Sequence, residues 1–533
     1  MVFVIGSSKY FIMSATKDFL THLFDRVKNV KDILVIKRAR AQKWQDATLK
    51  KLLYKAKNTA YGQEYNFDGI LMHADTREQF KSNVPIASYD AMHPWWQREY
   101  NGESDVTWPG SPKYFALSSG TTQGASKYIP VTDAQLKAII RASRRQLFAG
   151  FKTDIPKDFF TKHYLVIGGS TDLNYDGKKY SGDLSGISVA NLPFWFDRFA
   201  VPTEEITRDR DWHHKVETMV NEAPNWDVAM IAGAPSWVKM LLEKIIERYE
   251  LNNIHEIWPH LSVYSWGAIS ITPYKSQIEA MMGRPIHYFE SYLCSEGFIA
   301  TQRNVNASGM GLVFRNNTYF EFIPFNEENF DETGDVKPGA KALDLDEVVE
   351  GVNYAILIST CAGAWRYLIG DIIQFTNVDA CEIKITGRTK QYLSLCGEHL
   401  SVENMNQGTE LTGRDLGSAI SEYCVRGLKL PNGEMGHRWY VSYPTGQDKP
   451  DAERLRSILD QHLCVLNDDY ATEREHILKT MQMHVLPEAD FLDFLESKGK
   501  LGGQSKFPRV MPEVMYQEWI HFLCERYQND TFV

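Results

Sequence analysis

The stretch SSGTTQGASKYIP (118–130) most narrows what this 533-residue chain can build. It packs four hydroxyl side chains and two glycines into seven residues, and Lys127 follows. Runs of aromatic and β-branched residues flank it, KYFAL (113–117) and KYIPV (127–131), and Thr132-x-x-Gln135 opens the helical pattern QLKAIIRASRRQL. The predicted order is strand, polar loop, strand, helix. Glycines let backbone approach a ligand closely, and hydroxyls with exposed N–H groups donate to oxyanions without the bulk of long side chains. The GxxxxGK[ST] pattern is absent and two strands flank the loop, so this is not a Walker loop. The alternative reading is a polar hairpin turn.

Composition sets the frame for that loop. Hydrophobic residues make up 43% and charged residues 24%, with 36 Gly and 21 Pro, the profile of a globular chain. At ~150 residues per domain the length allows two to four domains. A net charge of −10 argues against a broad basic surface for nucleic acid or anionic lipid. Seven widely spaced cysteines without a CxxC pair read as reduced thiols of a cytoplasmic protein. The most apolar stretch, 228–242, is interrupted by Gly233, Pro235 and Lys239, so no membrane span is expected. The N-terminal MVFVIGSSKYFIM lacks a basic lead and a cleavage site, so no secretory signal is expected either. These readings predict a monomer or weak homo-oligomer with no nucleic-acid or membrane partner.

No repeat is visible along the chain. HYLVIGG (163–169), VYSWG (263–267), PIHYFESY (285–292) and NYAILIST (353–360) read as buried strands, and WVKMLLEKIIERYEL (237–251) as an amphipathic helix. Thr272-Pro273 and Gly283 bracket another helix. The fold class is α/β, a mixed α+β body. A boundary is expected just after EIKITGR (382–388), giving a large part, 1–389, and a smaller α+β part, 390–533, joined by a short hinge.

Four further segments carry chemistry. ESYLCSEG (290–297) ends a predicted strand with Tyr292, Ser295 and Glu296. A carboxylate there can hold Mg²⁺ and a tyrosine can stack on a base, or the glutamate is a surface group after a core strand. In WRYLIGDII (365–373), Asp371 either caps a tight turn or accepts from ribose hydroxyls. Arg388 can contact phosphate bidentately or pair with a surface acid. GGQSKFPR (502–509) presents Lys506 on a glycine-rich loop, to meet a phosphate or to stand as a solvated charge. Arg141 and Arg145, one helical turn apart, read as a solvated face or a greeting for a carboxylate. His213-His214 lack metal-ligand spacing, and LPFWFDRF (192–199) reads as core or as pocket wall.

Taken in order, the five segments resemble adenylate-forming enzymes, and most closely the auxin-responsive Gretchen Hagen family of acyl-acid amido synthetases. That resemblance implies a large N-terminal adenylate-forming domain and a small mobile C-terminal domain carrying a catalytic lysine. It implies ATP and Mg²⁺, a small carboxylic acid and an amino acid, with acyl-AMP formed first and an amide second. Ser118, Ser119, Gly120, Thr121 and Thr122 would then cradle phosphates, and Tyr292 would lie against adenine. Ser295 would line the nucleotide site, and Glu296 would support Mg²⁺ and the α-phosphate region. Asp371 would take the ribose, Arg388 would reach phosphate or ribose, and Lys506 would neutralise charge as the carboxylate attacks. Ser143 and Gln146 would wall the acyl pocket, and Gly267 and Ala268 would border the adenine. Cys294 stands where the family often has Ala or Ser. The alternatives are a thioester-forming, acyl-CoA type of adenylating ligase and a non-catalytic nucleotide- or small-acid-binding protein.

Overall fold

The computed structural model describes residues 37–118, 127–150, 155–156, 158–192, 198–304, 307–331, 334–390, 393, 395, 398, 400–430, 434–444, 446–499, 507–529 and 532. Its early strands are β1 (Tyr114–Ser118), β2 (Lys127–Val131), β3 (His163–Val166), β4 (Asn174–Tyr175), β5 (Tyr180–Gly182), β6 (Ala200–Val201), β7 (Val228–Gly233), β8 (Val263–Gly267) and β9 (His287–Cys294). There follow β10 (Gly297–Thr301), β11 (Met310–Leu312), β12 (Thr318–Pro324), β13 (Asn353–Thr360), β14 (Tyr367–Asn377) and β15 (Glu382–Arg388). The last three are β16 (Tyr423–Lys429), β17 (Met435–Tyr443) and β18 (Leu478–Pro487).

They form three sheets: a four-stranded one, β2-β1-β5-β4; an eleven-stranded one, β12-β13-β14-β15-β11-β10-β9-β8-β7-β3-β6; and a three-stranded one, β16-β17-β18. In the large sheet, β6, β3, β7, β8 and β9 run parallel to their neighbours. From β9 through β10 and on to β12 every pairing is antiparallel. β9 therefore belongs to both halves. The parallel strands are apolar because helices cover them, and β13 is buried from its second residue onward.

The helices used below are α1 (Asp133–Gly150), α2 (Leu184–Ala190), α3 (Pro235–Arg248), α4 (Lys275–Ala280) and α5 (Glu488–Ser497). The α1 start follows its sequence signal: Thr132 Oγ1 accepts from the Gln135 N–H at 3.2 Å and donates to the Cys361 carbonyl. α3 begins two residues earlier than the apolar pattern implied, because Pro235 has its φ pre-set for a first turn and donates no N–H. It buries Trp237, Val238, Leu241, Leu242 and Ile245 on one face. Gly267, at the end of β8, is required by close approach: a Cβ there would lie 2.5 Å from the Ser291 carbonyl of β9.

The apolar cores separate along the chain. One packs the N-terminal helices against the antiparallel half-sheet, and a second surrounds α3 and the parallel half. Two more draw only on residues from 393 onward, centred on Trp439 and on Trp519. Before the four-stranded sheet, Glu99 is buried, and one of its oxygens accepts from the Thr107 N–H at 2.9 Å and from the Thr107 hydroxyl at 2.6 Å. Its other oxygen has no partner, and burial pushes the carboxyl up to about 7. Among the described residues no helix is long and apolar enough to cross a membrane, and all the cysteines are free thiols.

Candidate functional site

β9 carries the centre of the site because it is the strand at which the sheet changes from parallel to antiparallel pairing, where loops diverge and leave a crevice. At its end, Gly297 adopts φ 150° and turns the chain directly into β10. That turn leaves Glu296 with 7% exposure.

Asp371 does not cap a tight turn. It lies inside β14, opposite Arg388 of β15, just after Gly370 at φ 92°. Arg388 Nε lies 3.0 Å from Asp371 Oδ1, and the Tyr292 hydroxyl donates to Oδ2. Tyr292 thus meets the site through its hydroxyl, while its ring packs in the core at 5% exposure. The Asp371 charge holds the Arg388 guanidinium above its usual range against the opposing effect of burial. Burial pushes the Glu296 carboxyl up, its own backbone N–H and Arg388 pull it down, and Asp371 pushes it further up. The Cys294 thiol and the Tyr367 hydroxyl lie beside it. Lys127 Nζ lies 5.2 Å from the Tyr89 ring centre. Burial lowers its pKa, Glu296 opposes that, and Arg388 adds to it. Two carboxylates and two cations therefore share one pocket.

A buried carboxylate with a second negative charge pressing on it suits a hard divalent cation that takes oxygen ligands. Glu296 fits Mg²⁺ on that ground.

Beside this charged group lies a cavity of about 330 Å³. Ile139, Ile140, Ser143 and Gln146 of α1 form one wall, and Leu184, Ser185 and Ser188 of α2 another. Val263 and Ser265 of β8 with Phe289 and Leu293 of β9 form its floor, and Gly267, Ala268, Cys294 and Ser295 stand where it meets the charged residues. Gln146 Nε2 donates to Ser265 Oγ at 3.0 Å, and Ser188 Oγ is buried without a partner. Gln135 Nε2 donates to the Ser295 carbonyl at 3.3 Å, tying α1 to the end of β9. Ala268, at φ 70°, holds a left-handed conformation that costs a residue with a Cβ about 1–3 kcal/mol.

The structure thus brings together Tyr292, Ser295, Glu296, Asp371 and Arg388, with Ser143 and Gln146 in the neighbouring cavity. Ser118 ends β1 opposite Lys127. Ser119, Gly120, Thr121, Thr122 and Lys506 lie outside the described residues, as does 193–197 of the aromatic segment. Arg145 is exposed on α1, as a solvated face implies, and one of its guanidinium nitrogens donates to the Phe314 carbonyl at 2.8 Å. His213 and His214 are exposed and pair with Glu496 and Asp209. Two residues went unassigned from sequence. Lys127 was visible as the cation after the loop, whereas nothing in the local sequence joins Tyr367 to Glu296.

Three domain descriptions of one family match in order along the chain: the GH3 family N-terminal domain at 32–167 and 137–286, the central domain at 311–388 and the C-terminal domain at 403–514. The chain belongs to the GH3 family. Among its relatives is a jasmonoyl–L-amino acid synthetase of Nicotiana attenuata, 22% identical over 72% of this chain and 74% of that protein. A 4-substituted benzoates–glutamate ligase of Arabidopsis thaliana is 22% identical over 94% of this chain and 96% of the relative. Among solved structures, the GH3.15 acyl acid amido synthetase superposes with a TM-score of 0.72 at 18% identity, covering 90% of this chain and 92% of that one. Placed on this GH3 chain, the central-domain match ends at Arg388, at the edge of the site.

Proposed function

We propose that this GH3 chain is an ATP-dependent acyl-acid amido synthetase with Mg²⁺ as its metal. The observation that carries the reading is the junction at Ser295 of an apolar cavity with the charged cluster of Glu296, Asp371, Arg388 and Lys127. An organic acid lies in the cavity with its carboxylate toward Ser295. Asp371 accepts from the ribose hydroxyls of ATP, and Arg388 and Lys127 face its phosphates.

The carboxylate is already a nucleophile, so the first step needs position and charge neutralisation rather than a base. A carboxylate oxygen attacks the α-phosphorus, the bond to the β-phosphate bridging oxygen breaks, and pyrophosphate leaves with that electron pair. Glu296 would hold Mg²⁺, which when bound would supply Lewis-acid neutralisation of phosphate charge. Lys506, three residues before Arg509, is the proposed further cation. In the second step an amino-acid amine attacks the acyl carbon, the carbon–oxygen bond to phosphate breaks, and AMP leaves as the nitrogen loses a proton. The dry wall of α1, α2 and β9 protects the mixed anhydride from water.

The test is a screen of aryl, indole and aliphatic acids for acid-dependent pyrophosphate release, followed by amino-acid-dependent AMP and amide formation. Pyrophosphate then amide is the expected result. Turnover accelerated by coenzyme A and not by amino acids would instead assign a thioester-forming ligase. ATP binding without pyrophosphate across the panel would assign a non-catalytic binding protein.

A further inference from the structure

One of the contacts between the two parts of the chain is polar, buried and charged. Tyr274, just before α4 and only 1% exposed, donates its hydroxyl to Glu422 Oε1. The other oxygen of Glu422 accepts from Arg509 at 2.8 Å. Arg509 also donates to the carbonyl of Tyr423 at 3.1 Å, and its guanidinium lies 4.4 Å from the Tyr423 ring centre. Alongside, Lys239 of α3 reaches both oxygens of Glu488 at the start of α5, at 3.3 and 3.2 Å. The Ser421 hydroxyl donates to the same carboxylate at 2.7 Å.

Tyr274 and Lys239 belong to the part before residue 389, and Glu422, Glu488, Ser421 and Arg509 to the part after it. Each large-part side chain thus holds one carboxylate of the small part. Buried ion pairs add little net stability over apolar packing, but they are satisfied in one geometry only, and breaking one leaves a charge without its partner. They select an orientation.

We propose that Tyr274 and Lys239 are positioning residues: by gripping Glu422 and Glu488 they fix one orientation of the C-terminal part. The proposal rests on the amido-synthetase reading for its kinetic consequence. Adenylation and amide formation place different demands on a cation beside the phosphates, so a device that fixes one orientation weights one half-reaction over the other.

The test compares Tyr274→Phe, which removes one hydroxyl and leaves Glu422 paired with Arg509, with the neutral pair Lys239→Met/Glu488→Gln. The control is Glu496→Gln, which breaks only the exposed contact to His213. Single-turnover rates of pyrophosphate release and of amide formation are measured separately. The expected result is a change of about five-fold in the ratio of the two rates for both interface variants, none for the control, and unchanged far-ultraviolet circular dichroism. A loss shared equally by both steps, or no change, overturns the positioning role. Amide hydrogen exchange over 272–280, 418–423 and 507–511 gives an activity-independent reading. Faster exchange on both sides of the contact in Tyr274→Phe is expected, and unchanged protection overturns the proposal even if no acid is ever turned over.

Discussion

Asp371 illustrates how one side chain is prepared for a ligand before the ligand arrives. Its two oxygens are oriented by Arg388 and Tyr292, so little rotamer entropy is left to lose when ribose hydroxyls compete for it. Asp371→Asn keeps the shape and removes the charge; the loss of hydrogen bonds to a charged acceptor, ~1.5–3 kcal/mol, predicts ATP binding weaker by roughly ten- to a hundred-fold. Titration calorimetry with ATP checks this, and an affinity within two-fold of the parent would remove Asp371 from the ribose site. Glu99 makes a second residue-level prediction. Its carboxyl is held protonated up to about 7, against about 4.5 when exposed in the unfolded chain. The folded state then binds the extra proton between these values, so this group's contribution is fully present below pH 4.5 and is lost as pH rises through 7. Glu99→Gln is expected to flatten that part of the stability profile and to make the protein more stable than its parent at pH 8, read as urea midpoints at pH 5 and 8.

Elements were legible in the sequence to the extent that their signals are local. β1, β2 and α1 emerged in their order because aromatic runs and a capping threonine lie within a few residues of one another. So did β13, a continuous apolar run with both faces covered. What was not legible was the pairing of strands far apart in sequence. Asp371 read as either a turn cap or a ribose ligand, and only its position opposite Arg388 inside the sheet rules out the turn. Arg145 read as a charged helix face and is exposed, but its bond to the Phe314 carbonyl, far off in sequence, was not legible. The element α1 carries its own prediction. Gln146 bridges the cavity wall to Ser265, so Gln146→Leu removes one polar group from the acid pocket without touching the nucleotide residues. The KM for the acid is expected to move by roughly ten-fold while the KM for ATP stays within two-fold. Equal shifts in both would place Gln146 outside the acid pocket.

At the scale of the whole molecule, the apolar clusters fall on either side of the stretch around residue 390, and none crosses it. Among the described residues the parts meet instead through polar contacts, Tyr274 with Glu422, Lys239 with Glu488 and Lys384 with Glu403 among them. Two cores joined by a polar contact are weakly coupled in unfolding. Heating is therefore expected to give two transitions, one of them reported by the tryptophans at 439 and 519, and Tyr274→Phe should widen the gap between them. A single calorimetric transition whose van't Hoff and calorimetric enthalpies agree would show one cooperative unit. The sequence's net charge of −10 takes on a local meaning at this scale. On the proposed reading an anion and a polyanion would be drawn into a negatively charged protein by Arg388 and Lys127, so attraction would be a property of the site rather than of the surface.

The change of strand direction at β9 has a consequence for redesign. On the proposed reading the organic acid would be accommodated by α1, α2 and strands on one side of that line, while Asp371 and Arg388, which would meet ribose and phosphate, stand on the β14–β15 hairpin from the other side. The acid cavity and the Asp371–Arg388 pair are thus written in different stretches of chain, 139–298 and 371–388, with Tyr292 of β9 and Glu296 just after it common to both and Lys127 outside them. Recombining the first stretch among relatives while keeping the second is the economical route to new acid preferences at constant nucleotide use, with β9 as the natural splice.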